Sequence, residues 1–164
     1  MEKEKEKEIL ELLARDSRLG TAKIASMVGL AESEVESAIK SFESRGIVKG
    51  YNVTVDWEKA GVEKVVAFID VNVMPAREVG FEAVAMRIAR YPEVRGSWLI
   101  SGGSDLRVLV EADSINKLAT FVAEQLATID GVTGTNTNFL LRKYKEEYTL
   151  FEEPDVDNRL VVTP

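Results

Sequence analysis

Along the first third of the chain apolar residues recur three and four positions apart, and after Gly46 the spacing shortens towards alternation. Residues 2–15 pass from alternating Glu and Lys into an amphipathic stretch with Ile9, Leu10, Leu12 and Leu13 on its inner side. Within the alternation like charges stand four apart, as in Glu4 with Glu8, and only pairs three apart, such as Glu2 with Lys5, attract. A frayed first turn or two is expected, with a firm helix from about Lys7. Asp16 to Leu19 read as a loop. Gly20 or Thr21 starts a second helix with Ile24, Ala25 and Val28 inside. A third, Glu32–Arg45, carries Val35, Ala38, Ile39 and Phe42, and Gly46 supplies its stop.

Residues 47–57, IVKGYNVTVDW, are β-branched and aromatic at Val48, Tyr51, Val53 and Val55. They predict one or two strands, either a wing of the first domain or a link to the second. WEKAG, residues 57–61, reads as a short helical turn ended by Gly61. Beyond it come a strand (Val62–Met74), a helix (Glu78–Arg90), two strands (Val94–Ser101 and Leu106–Ala112), a helix (Ser114–Ile129) and a last strand (Val132–Tyr144). The order βαββαβ predicts a ferredoxin-like domain with both helices on one face of an antiparallel sheet. The other face needs a cover, and in so small a domain a second copy is the expected one, with Val66, Phe68 and Val73 among the apolar residues offered. The fold class is therefore α+β. Residues 1–56 form a helix-turn-helix domain with its linking strand, 57–144 a ferredoxin-like domain, and 145–164 a hairpin or tail turning at Glu152–Asn158.

Gly20 to Gly46 carries the first chemical signal. Counting Thr21 as position one, Ala25 is fifth, Gly29 ninth and Val35 fifteenth. A helix-turn-helix needs a small residue where two helices touch, a glycine in the turn, and a branched apolar residue opening the next buried face. An ordinary helical hairpin would satisfy the same packing. If the third helix enters a major groove, Ser33, Glu34, Ser37 and Lys40 or Ser41 lie on successive exposed turns and reach the bases.

Composition narrows the alternatives. The 164 residues contain no cysteine and no histidine, which removes disulfides, the usual zinc ligand sets and any Ser-His or Cys-His nucleophile pair. No enzyme, cofactor or metal site is expected. The charged start MEKEKEKE and the absence of a bilayer-length apolar run point to the cytoplasm and away from a membrane. Net charge is −7, with nine Lys or Arg against eleven Asp or Glu in residues 1–56. That opposes the phosphate neutralisation from which DNA binders draw most of their affinity.

A helix-turn-helix, a linking strand and a βαββαβ domain together resemble the leucine-responsive/asparagine-regulator (Lrp/AsnC) family of transcription factors. Ile24-Ala25, Val28-Gly29-Leu30, Gly46-Ile47-Val48 and Gly50-Tyr51 carry the resemblance in the first domain. Gly102, Asp105, Gly131-Val132 and Thr135-x-Thr137 carry it in the second. The resemblance implies double-stranded DNA as partner, a homodimer or octamer, and control by an amino acid or related small metabolite. On this helix Ser37, Ala38 and Ser41 stand where the family is basic, leaving Lys40 and Arg45 as its cations against Glu32, Glu34, Glu36 and Glu43. Ala31 replaces a capping serine.

Gly102-Gly103-Ser104-Asp105 by itself reads as a good β-turn. As an effector site, Gly102 and Gly103 bring backbone amides to a carboxylate and Asp105 meets an ammonium, while Ser101, Ser104, Thr135 and Thr137 add hydroxyls. A regulator gated by such an effector is the leading expectation. A sensor or adaptor that has kept the fold and acts through protein contacts or mixed oligomers is the alternative.

Overall fold

In the computed structural model, which describes residues 2–74 and 80–151, three helices close over one apolar cluster. They are α1 (Lys3–Arg15), α2 (Thr21–Val28) and α3 (Glu32–Ser44). Ile9 and Leu13, then Ile24, Ala25 and Val28, then Val35, Ala38 and Phe42 are buried together. Full burial of each larger side chain is worth about 1.5–3 kcal/mol. Gly29 makes the turn between α2 and α3 at φ 70, and its N–H donates to the Ala25 carbonyl at 2.9 Å. Gly46, at φ 65, ends α3 as a Schellman motif, with Ile47 N–H on Phe42 O at 2.8 Å and Gly46 N–H on Glu43 O at 2.9 Å.

Two expectations for this region fail. α1 is formed from Lys3, well before Lys7. Lys5 pairs with Glu8 at 2.9 Å, and Lys7 pairs with Glu11 at 3.6 Å because the strict alternation ends at Ile9. Residues 47–56 form no strand. Their composition suits an extended backbone, but a ladder needs a neighbouring segment and none pairs with them among the described residues. Val53 is accordingly 74% exposed.

Residues 57–61 make a single helical turn, with Ala60 N–H on Asp56 O and Gly61 at φ 72. The next elements are β1 (Val65–Val73), α4 (Phe81–Ala89), β2 (Val94–Leu99), β3 (Leu106–Ala112), α5 (Ile115–Phe121, continued by a π turn over Val122–Leu126) and β4 (Val132–Phe139). Strand order is β2-β3-β1-β4, antiparallel throughout. β1 and β4 are shorter than their sequence runs at one end or both, since composition does not mark where a pairing partner stops. Glu78 and Val79, at the expected start of α4, lie outside the described residues. Contacts group Asp56–Tyr144 as one unit, and the chain up to Val55 with the segment from Lys145 as another.

Alternation along β1 sends Ala67, Ile69, Val71 and Val73 onto the helices, where they meet Val84, Ile88, Leu118, Phe121 and Leu126. Val73 therefore belongs to the covered face and not, as its sequence suggested, to the open one. Val66, Phe68 and Leu109 occupy the uncovered face, joined by Trp98, whose ring lies across Gly96 so closely that it leaves no room for a Cβ there. A short hairpin comes after β4, made of β5 (Lys145–Glu146) and β6 (Thr149–Leu150) and turning at Glu147 (φ 50). Tyr148 of this turn lies 5.9 Å beneath the Arg15 guanidinium. The turn expected at Glu152–Asn158 lies outside the described residues.

The uncovered face also carries a two-pronged ion pair. Arg107 Nε donates to Asp70 Oδ1 at 2.7 Å and Nη2 donates to Oδ2 at 3.0 Å. The guanidinium holds the Asp70 carboxyl below its ordinary range. A carboxylate depressed in this way stabilises the fold above its unfolded pKa, about 3.9, and the contribution is lost as pH falls through the folded value. Asp70→Asn should therefore flatten the loss of stability below about pH 4 and leave the slope above pH 5 unchanged, as read from urea midpoints across that range.

Candidate nucleic-acid interface and effector site

α3 packs through Val35, Ala38 and Phe42, so at about 100° per residue its opposite side is Ser33, Ser37, Lys40 and Ser44. All four are exposed. Glu32, Glu36 and Glu43 lie together on one flank, while Glu34, Ser41 and Arg45 lie on the other. A shallow groove of about 450 Å³ runs beside Ser33, Ser37 and Ser41, with Glu6 of α1 on its far wall. Ser41 is half-buried there. Ser37 Oγ donates back to Ser33 O at 2.8 Å and keeps its lone pairs for another donor. Arg45 stands at the C-cap, one turn beyond Ser41.

Three of the four carboxylates of α3 are engaged within the fold. Glu34 Oε2 accepts the Ala31 N–H at 2.9 Å, which is half of a capping box, and alanine cannot supply the other half. Glu32 Oε1 accepts the Thr21 hydroxyl at 2.7 Å and so ties the start of α3 to the start of α2. Glu43 Oε1 accepts the Tyr51 hydroxyl at 2.8 Å, and that hydrogen bond holds the phenol above its usual range. Sequence reasoning counted these groups as repulsive charge and missed their structural partners. The A-x-x-E spacing at Ala31 was the one available signal, because Glu at the third helical position is half of the capping pattern.

The second set of candidates surrounds the end of β1. Gly102 adopts φ 144, a conformation reserved for glycine, and both Gly102 and Gly103 have open space where a Cβ would stand. Ser101 and the two glycines are exposed, while Ser104 and Asp105 are half-buried. Ile100 N–H donates to Asp105 O at 2.9 Å and closes the loop. Asp105 itself extends the ladder: its N–H donates to Val71 O at 3.2 Å, and its Oδ2 accepts the Val73 N–H at 2.8 Å. One carboxylate oxygen is thus committed to the fold, and Oδ1 has no hydrogen-bond partner among the described residues.

Val71 pairs with Leu106 on one side and Thr135 on the other. Asp105 and Thr135 therefore flank the same stretch of β1, about two strand spacings or 10 Å apart. Thr137 lies opposite Ile69, two residues further from the loop. Among the described residues no group of His, Cys, Asp and Glu could hold a metal ion, and no helix is long and apolar enough to cross a membrane.

Comparison with known proteins agrees with this architecture. Residues 66–150 match the model of the Lrp/AsnC ligand binding domain, and residues 2–49 match a winged helix-turn-helix DNA-binding model. The chain is 44% identical over 162 residues to the uncharacterized HTH-type transcriptional regulator YugG of Bacillus subtilis, covering 98% of each. It is 32% identical over 142 residues to the HTH-type transcriptional regulator LrpA of Pyrococcus horikoshii, covering 87% of this chain and 98% of that one. The structure of the Neisseria meningitidis regulator NMB0573 in complex with L-Met superposes with TM-score 0.72 at 25% identity, covering 92% of this chain and 96% of that one. E. coli AsnC shares the fold at TM-score 0.68 and 20% identity, covering 91% and 98% respectively.

Ala31 has φ −72 and ψ 147, the extended geometry of a helix cap without its side-chain acceptor. Ala31→Ser should therefore complete the capping box and raise stability by about 0.5–2 kcal/mol, measured as the shift in urea midpoint.

Proposed function

The chain belongs to the Lrp/AsnC family of transcriptional regulators, and from that premise we propose that its α3 reads duplex DNA through Ser33, Ser37 and Lys40. Glu34, Ser41 and Arg45 border the contact. One observation carries this assignment: the outermost row of α3 is neutral or basic, and its glutamates are displaced to the flanks, where three of them accept hydrogen bonds within the fold. Hydroxyls donate to or accept from base edges, so readout does not require a basic helix. Affinity does require cations, and one helix supplies few. Specific binding therefore depends on several modules acting at high effective concentration within a dimer or larger assembly.

Dimerisation falls to the uncovered sheet face, with Val66, Phe68, Leu109 and Trp98 as its apolar contribution. An octamer built from such dimers is consistent with the family. The effector is an amino acid or related small metabolite at the Ser101–Asp105 loop. Its ammonium meets Asp105 Oδ1, its carboxylate meets the amides around Gly102 and Gly103, and Ser104, Thr135 and Thr137 complete the polar shell from the same or a neighbouring subunit. The L-Met bound to the Neisseria relative favours this class of ligand. A cytoplasmic location fits a regulator of this kind. An adaptor without DNA binding is disfavoured, since relatives matched over most of the chain are named as transcriptional regulators.

Light scattering should find a species of at least twice the chain's 18.2 kDa at micromolar concentration, and a stable monomer would remove the proposed dimer face. In gel-shift assays on the DNA upstream of its own gene, Glu32→Gln with Glu36→Gln should bind more tightly than wild type at low salt. Lys40→Ala should bind less tightly, with a log K against log salt slope shallower by about one. An unchanged affinity in the double Gln variant would mean that α3 does not face DNA. Asp105→Asn keeps an acceptor for Val73 N–H while removing the charge. Calorimetry against the twenty amino acids should show binding of the effector weakened by about 1.5–3 kcal/mol in that variant, and no heat with any of them in wild type would leave the loop a plain turn.

A further inference from the structure

The sheet domain contains a second groove, at the end of β3 opposite the Ser101–Asp105 loop. Six residue steps along β3 separate the two ends, roughly 20 Å. The groove measures about 660 Å³ and lies between α5, the start of β2 and the end of β3. That volume is within the range of small-molecule sites. Two backbone irregularities border it. Arg95 is the extra residue of a bulge in β2, where the register with β3 slips between Val94 and Gly96, and bulges re-aim side chains. The π turn of α5 borders the groove from the other side, with Ala127 N–H bonded to Val122 O at 2.8 Å.

The π turn decides which side chain enters. Asn116, Thr120 and Gln125 line the groove at steps of four and five. A regular α-helix would place Glu124 four residues after Thr120, and the five-residue step brings the Gln125 amide there in its place. Most of the charge around the groove is already paired. Asp113 binds Lys117 at 2.6 Å and Lys64 at 3.3 Å, and Lys64 also reaches Glu111 at 3.5 Å. The remaining charged residues, Glu93 and Arg95, stand outside this network. Glu93 Oε2 is buried without a hydrogen-bond partner among the described residues, a state that calls for a donor.

We propose that this groove is a second binding site for a free amino acid, separate from the hairpin loop. Glu93 Oε2 receives the ligand's ammonium, Arg95 holds its carboxylate, and Asn116 and Gln125 supply amides. Pro92 and Phe121, the latter fixed edge-on against Tyr91 at 5.4 Å, give an apolar wall for the side chain.

Hydrogen–deuterium exchange of the full-length protein, with each of the twenty amino acids added at millimolar concentration, tests the assignment. At least one should slow exchange saturably in residues 93–97 and 114–126. Arg95→Ala, an exposed position whose loss leaves the fold intact, should raise the half-saturating concentration about 10–100-fold. Arg95→Lys should restore part of it, and Asp105→Asn should leave it unchanged. The site is disproved if none of the twenty protects these segments, if Arg95→Ala saturates like wild type, or if Asp105→Asn abolishes the protection as well. Loss of protection at 101–105 alone in Asp105→Asn would bear on the hairpin site and not on this one.

Discussion

A four-stranded sheet with helices on one side only is the constraint on which the rest depends. Period-two alternation commits Ala67, Ile69, Val71 and Val73 to α4 and α5, and by the same geometry leaves Val66, Phe68 and Leu109 on the other face. The covered side builds a complete core from one chain. Its partner face has apolar residues and a carboxylate–guanidinium pair with no layer above them among the described residues. A domain of this size would gain from burying that surface in a symmetric contact, which is the basis of the dimer face proposed above.

In the helix-turn-helix unit, electrostatics follow from packing. With Val35, Ala38 and Phe42 turned inward, the outward row of α3 falls on serines and Lys40, and the acidic residues fall to either side. Glu34 holds the Ala31 amide, Glu32 holds Thr21, and Glu43 holds Tyr51. A helix with few cations is thereby compatible with a DNA-reading role, because carboxylates engaged as hydrogen-bond acceptors stabilise its ends and sit off its leading face. The cost is a weak electrostatic contribution per module, which the proposed oligomer would offset by multiplicity.

In the sheet domain the candidate site positions gather where regular structure is interrupted. At one end of β3, the Asp105 carboxylate takes over the ladder from the strand and leaves Gly102 in a glycine-only conformation. At the other, a bulge at Arg95 and a five-residue turn in α5 face a common groove. Each interruption presents polar groups that a continuous strand or helix would have turned elsewhere.

The helix-turn-helix and the βαββαβ order were legible in the sequence, because both are local: helical spacing, alternation, and stops at Gly29, Gly46 and Gly131 are read within a few residues. The family resemblance and the two candidate surfaces came from these strings. Several features were not legible. Residues 47–56 have strand composition and no partner, so no strand forms. α1 starts at Lys3, a boundary helped by the Lys5–Glu8 pair and by a Lys7–Glu11 pair formed where the alternation ends. Val73 belongs to the helix-facing side, and Asp105 closes a ladder while it borders a candidate site. The bulge at Arg95 and the π turn at Val122–Leu126 left no periodic mark at all. Apart from the local pairs of α1, these depend on which distant segment lies alongside, and hydrogen-bond partners between segments far apart in sequence are set only when the chain has folded.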